Sequence, residues 1–156
     1  MAPDVPVPPS MLSDSDYRDQ ADFRCAIRQF LHFSEEVARE IHITPQQHLV
    51  LLVVRGHRAY PRVSIGEIAE GLQIRHHGAS LLVERSVKRG LLYRREDPND
   101  RRRALVSLTA QGQEILDQIT LANRHQLGTL GESLFRNSLQ HAIRAYNDAR
   151  GYRKDE

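Results

Sequence analysis

A chain of 156 residues, 40% of them hydrophobic, can bury one substantial core and leaves room for a small extra layer for self-association. The formal net charge of +2 favours no class of partner, but its distribution does: from Arg55 to Arg103 twelve Arg and Lys face six Asp and Glu, a net of +6, leaving −4 elsewhere. A lone Cys25 excludes an internal disulfide and a Cys-pair metal site, and the longest apolar run, Leu49 to Val54, is too short to cross a bilayer.

Residues 1–14 carry Pro3, Pro6, Pro8 and Pro9, which remove backbone donors, so a disordered, extended arm is expected rather than a signal peptide, in a soluble cytoplasmic protein. From Ser15 to Ile41 no Pro or Gly intervenes. Phe23, Ile27, Phe30, Leu31, Ser34, Val37, Ala38 and Ile41 recur at helical steps and predict a long amphipathic helix. Thr44-Pro45-Gln46-Gln47 reads as a capped helix start, with Gly56 as its stop. Ala59 to Val63 is a loop or short edge strand. Ser64 and Glu67 repeat the capping signature for a third helix with Ile65, Ile68, Ala69 and Leu72 inward, and Gly71 is expected to permit the tight turn after it.

A fourth helix is predicted from His76 to Arg89, with Ala79, Leu82, Val83 and Val87 inward and Gly90 as its stop. Two short helices joined by a tight turn make a helix-turn-helix. Leu91 to Arg95 and Ala104 to Leu108 are β-prone runs around a turn-rich stretch, Glu96 to Arg103, which predicts a hairpin with the arginines at its turn. Thr109 caps a fifth helix bearing Ile115, Leu116, Ile119, Ala122 and Leu127. Gly128 and Gly131 are expected to separate it from a last helix with Leu134, Phe135, Leu139, Ala142, Ile143 and Tyr146, before a frayed tail at 151–156.

The second helix of a helix-turn-helix presents its N-terminal part to the major groove of DNA, so Arg75, His76, His77 and Ser80 are the expected base-side contacts, with Arg85 and Lys88 further along near phosphates. Arg101, Arg102 and Arg103 at an exposed turn repel one another and add little to folding. A narrow minor groove attracts such a guanidinium, and Asp100 could orient Arg102 through a charge-assisted bond. The plainer reading of both features is a solvated basic surface.

These residues resemble the MarR (multiple-antibiotic-resistance regulator) family of bacterial transcription factors. Its signature of an Asp, an Arg two residues on and a later Leu-Thr pair stands here as Asp100, Arg102, Leu108 and Thr109, preceded by Gly90 to Arg94 and Asp97-Pro98-Asn99. Ile43 to Gln47 also fits, and the resemblance runs from about Phe23 to Tyr146. It implies a mainly α fold with a small β-hairpin wing. In it a winged helix-turn-helix lobe (44–109) is joined to N- and C-terminal dimerisation helices (15–41 and 110–150), all one domain spanning 15–150. It further implies a triangular homodimer on a pseudo-palindromic operator, with Arg102 of each wing in the minor groove and Asp100 orienting it. Independently, apolar stripes on the flanking helices exceed what one lobe can cover, which also favours a two-fold dimer. Most members carry a large apolar residue four positions before the glycine that ends the recognition helix. Here Ser86 stands there, with Val87 beside it, which leaves the helix rotation open.

The resemblance also implies release of DNA, as by a repressor, when a small amphipathic or phenolic effector binds, or when a cysteine is oxidised. Cys25 lies between Arg24 and Ala26 near Arg28, a setting that could favour a thiolate, but Gln29 and Arg39 replace the tyrosines of the peroxide-sensing branch and an inert buried cysteine is the alternative. His32, His42, His48 and His57 show no ligand spacing, and no catalytic motif is visible, so neither a metal, a cofactor nor an enzyme is expected. The competing class is a winged-helix module that binds another protein.

Overall fold

The computed structural model describes residues 12–149, apart from the side chains at 101, 102 and 133–149. Most of the arm expected at 1–14, and the tail at 151–156, therefore lie outside the described residues. In chain order the elements are α1 (Asp14–Glu40), α2 (Pro45–Gly56), β1 (Val63–Ser64), α3 (Ile65–Leu72), α4 (His76–Lys88), β2 (Leu92–Asp97), β3 (Asp100–Leu108) and α5 (Ala110–Ala149). They fall into two compact units, one comprising residues up to His32 and from His125 onward, the other Phe33–Arg124. Among the described residues no helix is long and apolar enough to cross a membrane.

Local chemistry sets the helix starts. Ser13 and Asp16 exchange hydrogen bonds at the head of α1 (2.7 and 3.4 Å), which starts the helix one residue before its expected place. Thr44 and Gln47 complete a capping box for α2, and Ser64 and Glu67 complete one for α3, as their spacing predicts. Thr109 Oγ accepts from Gly112 N–H (2.9 Å) to open α5 and donates to the Gly90 carbonyl (2.6 Å), tying the helix start to the end of α4.

The ends differ more from expectation. Gly90, with φ +72°, follows α4 in a Schellman arrangement: its N–H reaches the Val87 carbonyl and Leu91 N–H reaches that of Ser86. After α3 the left-handed residue is Gln73 (φ 55°), not Gly71. Gly71 serves packing instead: a Cβ there would lie 2.7 Å from Val53 Cγ1, so its lack of a side chain lets α3 lie close on α2. The expected break at Gly128 and Gly131 is also absent, since α5 runs unbroken through both. A helical glycine costs only about 1 kcal/mol, no proline stands there, and the Thr129 hydroxyl donates back to the His125 carbonyl (3.2 Å) of the same helix.

The sheet has the order β1-β3-β2 and is antiparallel throughout. The core of the Phe33–Arg124 unit joins Leu51 and Val54 of α2, Ile68 of α3, Val83 of α4, Leu92 of β2, Val106 of β3, and Leu116 and Ile119 of α5. Asn123 is buried as well, donating to Ser34 of α1 (2.8 Å), whereas the apolar Ala122 and Leu127 are exposed in the single chain.

Candidate nucleic-acid interface

α3 and α4 form the helix-turn-helix, and the rotation of α4 is settled by Ser86. Its hydroxyl donates to the Leu82 carbonyl (2.9 Å), and with Ala79 and Val83 it is fully buried. A hydroxyl that bonds its own helix can occupy a core position without an orphaned polar atom. Leu82 and Val87 flank this stripe, half-buried. The opposite face presents His77, Leu81, Glu84, Arg85 and Lys88, all exposed, and Ser80 is half-buried at its border.

Arg75 is the N-cap of α4 and supplies no side-chain cap, unlike the caps of α2 and α3. The first amides of α4 are thus free of a side-chain acceptor, and the helix dipole favours an anion beside them. Lys88 is engaged with Glu84 (2.7 Å), whose carboxyl is held below its ordinary pKa by that hydrogen bond and charge. Arg89 donates to the His42 carbonyl (2.6 Å) and so braces α4 against the end of α1.

The hairpin differs from expectation where the arginines stand. Its turn is only Pro98-Asn99, closed by Asp97 opposite Asp100, and Asp97 Oδ1 accepts from Asn99 N–H at 3.0 Å. Glu96 and Asp97 are adjacent on β2 but pair with Ala104 and Asp100, so Arg101, Arg102 and Arg103 occupy a three-residue bulge in β3 rather than the turn. Polar Asp and Asn disguised the short turn, and consecutive arginines hid a strand. The side chains of Arg101 and Arg102 lie outside the described residues. Arg103 reaches Glu67 at 3.6 Å.

A cleft of about 330 Å³ lies between helix and wing, lined by Ser64, Ile65 and Gly66, by His76 and Ser80 of α4, and by Arg94, Asp100, Arg103 and Ala104. It brings together His76, Ser80, Asp100 and Arg103, which the sequence nominated. Arg94 was missed: period-two alternation along β2 toward the helix side could have found it. Glu67 was read only as a cap. Its carboxyl is held below the usual range chiefly by hydrogen bonds from Ser64, with smaller help from the charges of His57 and Arg103.

Cys25 is exposed on α1 in the single chain, with Gln29 Nε2 at 3.6 Å from its sulfur. His48 is buried, unlike His32 and His42, and among the described residues no group of His, Cys, Asp or Glu could hold a metal ion.

A model of the MarR family matches residues 43–103, from the start of α2 through the wing arginines. Among solved structures, the chain superposes on a MarR family transcription regulator with a TM-score of 0.68 at 18% identity, covering 90% of this chain and 95% of that one. The MepR–DNA complex of Staphylococcus aureus gives 0.64 at 19% identity, with 88% and 98% covered. Ligand-free MarR from E. coli gives 0.62 at 20%, with 81% and 95% covered. No curated protein matches the chain by sequence. The chain shares the fold of these MarR and MepR structures.

Proposed function

We propose that this MarR-family winged-helix chain is a sequence-specific regulator that binds a pseudo-palindromic operator as a cytoplasmic homodimer and represses transcription until a small amphipathic or phenolic effector releases it. The observation that carries this reading is the placement of an uncapped recognition helix and an arginine bulge on either side of one cleft. Arg75, His76, His77 and Ser80 face base edges, Arg85 and Lys88 face phosphates, and Arg102 enters the minor groove with Asp100 orienting it and Arg101 and Arg103 on phosphates. Arg94 joins them from β2.

Genome-wide footprinting with the purified chain supplies the operator and, through the adjacent genes, the class of effector. Binding to that duplex at several salt concentrations then tests the reading. Strong salt dependence is expected, because each phosphate contact releases about 0.9 of a counterion. Arg102→Ala is expected to cost about 1–3 kcal/mol of binding. A monomer without salt-dependent affinity for duplex DNA would overturn the proposal and favour a protein-binding winged helix.

A further inference from the structure

The bulge that carries the arginines lacks regular ladder pairing, so the sheet alone does not determine where it points. Two contacts bracket it. On its base side Arg103 Nη2 lies 3.6 Å from Glu67 Oε2, and toward its tip Arg62 Nη2 lies 3.8 Å from Asp97 Oδ1. The lobe's two partners, Arg62 and Glu67, flank β1, which pairs with β3 at only Val63 and Ser64.

Both carboxylates are themselves fixed. Glu67 Oε2 accepts from the Ser64 amide and hydroxyl, each at 2.7 Å, and Asp97, with a side chain only 10% exposed, accepts from the Asn99 amide. A two-residue strand is a weak attachment by itself, and opposite charges at its two ends match opposite charges on the hairpin.

We propose that the pairs Glu67–Arg103 and Arg62–Asp97 clamp the wing on either side of its bulge and thereby hold the strand backbone that carries Arg102, which makes Glu67 and Arg62 positioning residues for DNA binding. The inference rests on the DNA-binding reading above and refines the part of Arg103: its charge is engaged by Glu67 and supports its neighbour instead of neutralising a phosphate.

The salt dependence of binding separates these roles. With the full chain and the footprinted duplex, Glu67→Gln, which retains a side chain able to cap α3, and Arg62→Gln are each expected to weaken binding up to about fivefold, the worth of an exposed ion pair. The slope of log K against log salt stays unchanged. Arg103→Gln behaves likewise, Arg103→Lys restores part of the loss, and Glu67→Gln combined with Arg103→Gln is no worse than Arg103→Gln alone.

A slope reduced by about 0.9 in Arg103→Gln, with Glu67→Gln unchanged or tighter, would make Arg103 a phosphate contact and overturn the clamp. Should Glu67→Gln unfold at the assay temperature, Arg62→Gln decides, because that side chain is 59% exposed and its loss spares the core. Unaltered affinity in Arg62→Gln then counts against the clamp. Wild-type protein without salt-dependent duplex binding would instead refute the DNA-binding reading itself.

Discussion

At Gly112 a Cβ would stand 2.0 Å from the Leu91 carbonyl oxygen, backbone that also accepts the Thr109 amide at 3.1 Å. Nothing there can yield cheaply. Gly112→Ala is therefore expected to destabilise the fold by about 3 kcal/mol, while Gly128→Ala, with open space around it in the same helix, should stabilise it by about 0.5–1 kcal/mol. Urea denaturation of the two variants checks both signs. His48 gives a pH dependence of known direction. Burial holds its pKa below the ordinary 6.5, so the unfolded chain takes up a proton at a higher pH than the folded one. Its contribution makes stability fall as the pH drops below about 6.5 until the lower folded pKa is passed. Melting curves at pH 7 and 5.5 should show a smaller difference in His48→Gln than in the wild type.

At the scale of elements, side chains that bond their own backbone were both the clearest and the most deceptive signals. The boxes Thr44–Gln47 and Ser64–Glu67 were legible because each needs only neighbours in sequence. Ser86 was not, because a serine reads as an outward residue until its hydroxyl is seen to bond the Leu82 carbonyl. Its full burial predicts that Ser86→Leu overpacks the lobe by about 1–3 kcal/mol and turns α4, lowering operator affinity along with stability. Unchanged melting and binding in that variant would show that the site is roomier than its burial implies. Gly71 was misassigned for a related reason: glycine marks both left-handed turns and close approaches, and only the position of Val53 distinguishes them.

At the scale of the whole molecule, apolar side chains remain on the surface of the terminal helices: Phe23 is 45%, Leu31 48% and Leu127 49% exposed. The proposed two-fold dimer would cover such side chains. The homodimer should appear in sedimentation equilibrium, and Phe23→Glu should shift it toward monomer and weaken operator binding together. A wild-type monomer at micromolar concentration would remove the dimer from the proposal.

The sequence by itself determined the starts of α2 to α5, the segregation of basic charge and the hairpin that follows α4, all of which depend on periodicity, capping or charge within a few residues. Tertiary structure alone decided that Gln73 rather than Gly71 makes the turn, that α5 runs through two glycines, that Ser86 faces the core, and that the arginines stand in a strand bulge from which Arg103 reaches Glu67. Each of those outcomes is a competition between a local preference worth about 1 kcal/mol and contacts supplied from distant parts of the chain, and the distant contacts are what the linear order conceals.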